Sequence, residues 1–174
     1  MNSPLERQMT HHLELLVSQG MEAARVQPWA DERYSLLLRD ASAYLLLAFG
    51  DYDRYSLTLR RLEVGWQGEQ QAEPPVDLYD RIAAVTQQLN YLEQPIELYE
   101  YEPAEQVAIL RSAPPERYGE QIRYWEVVLH SNQRIHMAYY AWSPAMLDRE
   151  RQAYPLTFSP LRRFTASLLA VLAA

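Results

Sequence analysis

A chain of 174 residues with 48% hydrophobic and 22% charged side chains has the composition of an ordinary globular protein. That composition excludes the collagen-like, coiled-coil and wholly disordered classes. Sixteen basic against 23 acidic residues give a formal net charge of −7, which argues against nucleic acid or an anionic membrane as the main partner. The length predicts a single domain over residues 1–174.

Lysine and cysteine are both absent, because every basic residue is an arginine. Without lysine there is no Schiff base and no P-loop lysine, and without cysteine there is no thiolate nucleophile, disulfide or cysteine-ligated metal. No glycine-rich phosphate loop, GxSxG or HExxH occurs either. We therefore expect no cofactor, no metal and no catalytic residues, although the sequence alone leaves a dispersed Ser/His/Asp triad open.

Neither end of the chain predicts a membrane segment. Glu6, Arg7 and Gln8 stand where a secretory signal needs an apolar core. The apolar stretch over 164–174, as a helix, would span only about half of a ~30 Å bilayer core. We expect a cytoplasmic protein with no membrane partner.

The first predicted element is a helix over 3–19. Ser3 is a suitable N-cap, Pro4 fits the first helical position and Glu6 completes a capping box. Apolar residues recur along the segment at helical spacing, and Gly20 is a plausible stop.

Three extended runs follow, over 33–39, 43–49 and 54–66, separated by short turn-forming segments. They predict an antiparallel meander. The middle run is apolar without alternation, which is typical of a strand covered on both faces. In the third run the apolar positions change from odd to even near Arg60 and Arg61, so we expect a β-bulge there.

The second half begins with a polar connector over 68–76 that contains Pro74 and Pro75. A helix over 77–92 is predicted next, with Asp77 as its N-cap and an apolar stripe along one side. The following segments are strands over 96–101 and 107–112, a long hairpin over 120–142, and a loop over 143–157 that holds a short helical turn at 146–151.

The last predicted element is a helix over 160–173, with Ser159 as N-cap and Pro160 in the first turn. The element order is therefore α-βββ-α-ββββ-α, three strands and then about four further strands. This order predicts the α+β class, with an antiparallel sheet and helices packed mainly on one face. It resembles the element order of type III secretion chaperones and related small acidic dimeric adaptors.

The long hairpin allows a prediction of register. Inward residues are odd-numbered on both strands, so the connecting loop must hold an odd number of residues, and Ser131-Asn132-Gln133 fits. His130 should then lie opposite Arg134, and His136 opposite Val128. The other face carries a polar set that we call the even face: Tyr124, Glu126, His130, Arg134, His136 and Tyr140.

The even face has two interpretations. Glu126, His130 and His136 lie on diagonal positions, close enough to share a ligand, and could hold a divalent metal or perform acid–base chemistry. Alternatively, the face is polar because it is the solvated side of the hairpin. Since the spacing matches no dedicated ligand motif, we expect the second interpretation and no metal. In either case the even face is the candidate ligand or partner-binding surface.

Further charged groups are open to similar alternatives. Five carboxylates over 93–105 could hold a cation, but such a run more often protects a sheet edge from pairing. Arg60-Arg61 and Arg162-Arg163 could each grip an anion, or could pair with Glu or Asp of the same chain. The second pair is the better anion candidate because the start of a helix offers unpaired N–H groups.

These observations favour a non-catalytic binding or adaptor module that homodimerises and recognises a protein or peptide. Thirteen tyrosines and four tryptophans suit a recognition surface, because their rings bury area while their polar tips tolerate water. The alternative is a small-molecule-binding protein or a small enzyme with a pocket lined by Tyr, His, Glu and Arg.

Overall fold

The computed structural model of the protein describes residues 2–30, 32–69, 77–131 and 133–174. Residues 70–76 of the predicted connector and Asn132 of the predicted hairpin loop lie outside the described residues. The three helices of the described part are α1 (Pro4–Gln19), α2 (Leu78–Gln88) and α3 (Phe158–Leu172). Its strands are β1 (Gln27–Trp29), β2 (Arg33–Arg39), β3 (Ala43–Tyr52), β4 (Ser56–Trp66), β5 (Ile96–Glu102), β6 (Val107–Ser112), β7 (Glu116–Tyr118), β8 (Gln121–His130), β9 (Arg134–Trp142), β10 (Glu150–Gln152) and β11 (Tyr154–Thr157).

All these strands belong to one antiparallel sheet in the order β1-β2-β3-β4-β9-β8-β6-β5. Three short strands pair off this path: β7 with β8, β10 with β9, and β11 with β4. The predicted α+β class and the order helix, strands, helix, strands, helix are confirmed. Both groups of strands are larger than the predicted three and about four, since the described part places four strands before α2, including the unpredicted β1, and seven after it.

The helices cover one face of the sheet, and the main core lies between them. Leu5, Met9 and Leu13 of α1 share this core with Leu45 and Leu47 of β3. The N-terminal capping box forms as predicted, with the Ser3 hydroxyl accepting from the Glu6 N–H and the Glu6 carboxylate accepting from the Ser3 N–H. None of the three described helices lies on the opposite face of the sheet, which we call the open face.

Strand β3 is covered on one face rather than on both. Leu45 and Leu47 are fully buried under the helices, whereas Tyr44 and Leu46 on the open face are only half-buried. The sequence of β3 is continuously apolar because large side chains on its open face also pack against one another.

The predicted bulge lies at Arg60. Ala48 pairs with Arg61 and Phe49 pairs with Leu59, so Arg60 is the extra residue of β4. The bulge leaves Leu59 and Leu62 both in the core. It therefore places two consecutive arginines between two core positions, and both side chains are available to the open face.

The segment predicted as a loop over 143–157 instead contains β10 and β11. Residues Glu150–Gln152 pair with β9 and residues Tyr154–Thr157 pair with β4. Both strands are short and their sequences carry no alternating apolar pattern, so only the pairing with β9 and β4 identifies them as strands. The predicted helical turn at 146–151 does not form as such, since its last two residues belong to β10.

The last helix starts two residues earlier than predicted. Its N-cap is Thr157, so Ser159 and Pro160 lie inside the first turn. The N–H of Phe158 donates to the carbonyl of Tyr55, which continues the β11–β4 pairing directly into the helix. Pro160 is tolerated there because first-turn N–H groups have no helical acceptor.

Helix α2 is capped by Asp77 as predicted but ends at Gln88, four residues before the predicted end at 92. Its Arg81 is buried and donates to the carbonyl of Leu172 at the end of α3, where a cation is favoured by the helix dipole. Between α1 and α3, Thr165 donates to the sulfur of Met9. None of the helices in the described part of the chain has the length and hydropathy needed to cross a bilayer.

Candidate functional site

The open face carries a network of buried glutamates bound to arginines. Glu32, Glu63 and Glu126 are only 5%, 6% and 1% exposed, and each forms an ion pair with at least one guanidinium. The five arginines of this network are Arg60, Arg61, Arg111, Arg149 and Arg151. Five positive charges against three negative ones leave the network formally at +2, on a chain whose total is −7.

Glu126 of β8 is the most deeply buried carboxylate of the network. One of its oxygens accepts from the Nε of Arg111 at 2.9 Å and from a terminal nitrogen of Arg149. Its other oxygen, Oε1, is buried and has no hydrogen-bond partner in the part of the chain that the structure describes. Arg111 comes from the neighbouring strand β6, whereas Arg149 comes from the segment between β9 and β10, so Glu126 ties that segment onto the sheet.

Glu32, in the turn between β1 and β2, is shared in the same way. It accepts from the Nε of Arg60 at 2.9 Å and forms a second ion pair with Arg151 of β10. Charge-assisted hydrogen bonds of this kind hold both partners in defined orientations. Glu32 therefore orients two guanidiniums that come from separate strands.

Glu63 accepts from the hydroxyl of Tyr44 at 2.7 Å and pairs with Arg61 on its own strand. Tyr44 reaches it by lying across Gly65, where a Cβ atom would come within 2.4 Å of the tyrosine ring. Burial and the nearby Glu63 carboxylate raise the pKa of Tyr44 well above its ordinary value. The absence of a side chain at position 65 therefore allows this contact.

His130 and His136 lie side by side next to this network, with ring centroids 5.0 Å apart. Burial, followed by the positive charge of Arg61, lowers the pKa of His136 to about 3. Burial and the charge of Arg134 also lower the pKa of His130. Both imidazoles are therefore neutral near pH 7, and the arginines act on them as a positive field.

An open cleft of about 480 Å³ lies where β4, β9 and β10 meet on this face. Its lining comprises Trp29, Glu32, Arg60, Arg61, Tyr140, Asp148, Arg149 and Arg151. The guanidinium of Arg149 stacks 4.0 Å above the Tyr140 ring, which fixes it as a cation–π pair. Among the described residues, the Nε of Arg61 is buried and has no hydrogen-bond acceptor. The lining therefore brings four guanidiniums together with two carboxylates.

The predicted register of the hairpin is confirmed, with His130 opposite Arg134 and His136 opposite Val128. The even face is nevertheless only partly solvated, since Arg134 is exposed and His130 and His136 are half-buried. Tyr124, Glu126 and Tyr140 are buried, and the two tyrosine rings stack at 6.1 Å. Neighbouring arginines cover them, since Arg111 lies over Tyr124 as Arg149 lies over Tyr140.

The alternative of a metal site at Glu126, His130 and His136 finds no support in the geometry. The two histidines meet as predicted, but Glu126 is occupied by two guanidiniums. Within the described residues, no group of three or more acidic or histidine side chains is arranged to hold a metal ion.

The other charged candidates are placed as follows. Arg60 and Arg61 pair with glutamates of the same chain. Arg162 and Arg163 are exposed on the helix side and lie in the second turn of α3, past the free N–H groups on which their anion site was predicted to depend. Arg163 instead stacks 3.7 Å above the ring of Tyr91. The acidic run occupies β5 at the edge of the sheet, as its edge-protecting interpretation predicts.

The sequence prediction missed Glu32, Glu63, Arg111, Arg149 and Arg151. A signal existed for Glu63 and Arg61, because residues two apart on a strand share a face. Arg111 is directly opposite Glu126, which a register for the preceding strand would have revealed. Glu32 and the two arginines of 149–151 carry no local signal.

Comparison of the chain with models of protein families, with curated proteins and with solved structures finds no match.

Proposed function

We propose that this chain is a non-catalytic binding module that recognises an acidic segment of a protein or peptide through its open face. The observation that supports this most strongly is the local charge of the glutamate–arginine network on that face. A network with a formal charge of +2 lies on a molecule with a total of −7. Selection for solubility alone gives no reason to gather arginines over buried glutamates, whereas recognition of carboxylates does.

The structure of the network suits binding. Internal carboxylates already orient the guanidiniums, so little side-chain entropy is lost when a ligand binds. Aromatic rings lie among the arginines and offer apolar contact area beside the charges. Arg134 is exposed at the start of β9 and extends the positive surface beyond the buried network.

Selection of random dodecapeptides displayed on phage tests this proposal. We expect the enriched peptides to be rich in Asp and Glu. Their binding should fall at least tenfold in Arg134→Glu, which reverses one exposed charge of the open face. The matched control is Arg162→Glu, an equal charge reversal on the helix side, which should change binding less than twofold. Failure to enrich acidic peptides, or equal effects of both variants, would contradict the proposal.

The second part of the proposal is that the module is a homodimer. Tyr79 of α2 and Leu98 of β5 are 60% and 44% exposed, and they lie near one margin of the sheet, where the Tyr79 ring also contacts that of Tyr101. Exposed apolar groups of this kind favour association. Sedimentation at micromolar concentration should report about 41 kDa, twice the 20.3 kDa chain. A concentration-independent mass near 20.3 kDa would contradict the dimer.

A small-molecule-binding protein is the second candidate. The cleft of about 480 Å³ is within the usual size range of ligand pockets. Of the Tyr, His, Glu and Arg residues expected for such a pocket, its lining contains Tyr, Glu and Arg but no His.

A further inference from the structure

We propose that the cleft between β4 and the 149–151 segment is a subsite for a phosphoryl group, bound as a dianion by Arg60, Arg61, Arg149 and Arg151. This inference rests on the proposed binding role of the open face and specifies the ligand chemistry of one part of it.

The first argument is charge. Four guanidiniums line the cleft together with two carboxylates, Glu32 and Asp148, and two further carboxylates, Glu63 and Glu126, pair with Arg61 and Arg149 outside the lining. A phosphate monoester carries close to two negative charges at neutral pH, so the guanidiniums of the lining attract it more strongly than they attract a monoanion such as a single carboxylate.

The second argument is geometry. The four arginines come from two directions, since Arg60 and Arg61 are consecutive on β4 while Arg149 and Arg151 belong to the opposite wall. Oxygens of a tetrahedral anion can accept donors from both walls at once, whereas a planar carboxylate is best matched by one guanidinium fork. Glu32, which itself lines the cleft, and Glu126 hold three of these side chains in ion pairs, so the cleft is preorganised.

The third argument is spare donor capacity. A guanidinium has five N–H donors, and the ion pairs with glutamates occupy the Nε of Arg60 and one terminal nitrogen of Arg149. The low pKa of His136 has the positive field of Arg61 and Arg149 among its causes. Trp29, which is 36% exposed at the rim, supplies an aromatic surface for the group that carries the phosphate.

Phenyl phosphate and inorganic phosphate are the probes, with acetate as the monoanion control, in calorimetric titrations at pH 7.5. We expect both phosphates to bind, and acetate to bind at least tenfold more weakly. Arg60→Gln and Arg61→Gln should each weaken phenyl phosphate binding at least tenfold. Arg162→Gln, which removes an equal charge on the helix side, should change it less than twofold.

A variant that is expected to bind more tightly controls for the possibility that the arginine variants lose binding because they fail to fold. Asp148→Asn removes a negative charge from the cleft lining and should tighten phenyl phosphate binding about threefold or more. Asp80→Asn, an equal change on the exposed side of α2, should leave it unchanged. Unfolding cannot produce tighter binding. If acetate binds as well as phosphate, or if Asp148→Asn has no effect, the phosphoryl subsite is refuted.

A blocked peptide with a central phosphotyrosine, compared with its tyrosine form, distinguishes the source of the phosphate. Tighter binding of the phosphopeptide than of phenyl phosphate would support both the subsite and peptide recognition. Equal binding would support the subsite but count against peptide recognition. Acidic peptides that bind the open face while neither phosphate does would leave the proposed function standing and overturn the subsite.

Discussion

Replacing Glu126 by Gln removes one negative charge from beneath two arginines while the shape of the side chain is kept. Glu126 is 1% exposed, and one of its oxygens binds both Arg111 and Arg149. Breaking a buried ion pair by removing one partner costs about 3 to 5 kcal/mol. Arg111 and Arg149 retain 24% and 30% exposure and can recover some hydration, so we expect a loss of about 3 kcal/mol.

Urea unfolding followed by circular dichroism measures this loss. For a chain of this length, about 3 kcal/mol corresponds to a drop in Tm of roughly 6 to 12 °C. Glu97→Gln is the matched control, because it makes the same chemical change at an exposed position of β5 and should cost less than about 0.5 kcal/mol.

A double variant, Glu126→Gln with Arg149→Gln, separates the ion pair from the effect of the altered side chains. If the two groups interact as described, the double variant should lose at least about 1 kcal/mol less stability than the sum of the single losses. A loss below about 0.5 kcal/mol in Glu126→Gln, or additive losses, would refute the reasoning that buried carboxylates hold the arginines of the open face in place.

Three further predictions concern stability. The pKa of His136 in the folded chain is about 3, below the ordinary 6.5, so the unfolded chain takes up the proton first as pH falls. The free energy of unfolding should therefore fall below pH 6.5, by about 2 kcal/mol at pH 5. Denaturant titrations between pH 7 and pH 5 should show a weaker pH dependence in His136→Gln. Leu47→Ala should lower the free energy of unfolding by about 2 to 5 kcal/mol, and Leu46→Ala by less than half of that, as measured from urea midpoints. Equal losses would contradict the conclusion that β3 is covered on one face. Gly65→Ala should displace the Tyr44 ring and lower the free energy of unfolding by about 1 to 3 kcal/mol. The same change in a Tyr44→Ala background should cost less than about 1 kcal/mol, as thermal melts of the parent chain, the two single variants and the double variant would show.

Local patterns were sufficient for most of the architecture. Helix caps, apolar periodicity and the parity of the hairpin are properties of short segments, and so is the bulge, since it shows as a change of parity at Arg60. The predicted register of β8 against β9 is correct for the same reason. These features depend on residues close to one another in sequence.

The site could not be predicted in the same way because its parts come from distant segments. Arg149 and Arg151 lie in a stretch without strand periodicity, and only pairing with β9 makes Glu150–Gln152 a strand. The burial of Glu126 follows from Arg149 and Arg111 lying against it. A polar residue on an outward position of a hairpin predicts solvent exposure unless the covering side chains are known.

The pairing of β11 with β4 joins residues about a hundred positions apart, such as Leu57 and Leu156. Pairings of such long range slow folding, because the loop entropy is lost before the contact is gained. Until β11 and α3 dock, part of β4 keeps an unpaired edge, and Met9 lacks its contact with Thr165. Partly folded chains therefore expose a template for aggregation. The net charge of −7 opposes this aggregation during folding, because it makes partly folded chains repel one another while the edge of β4 is unpaired.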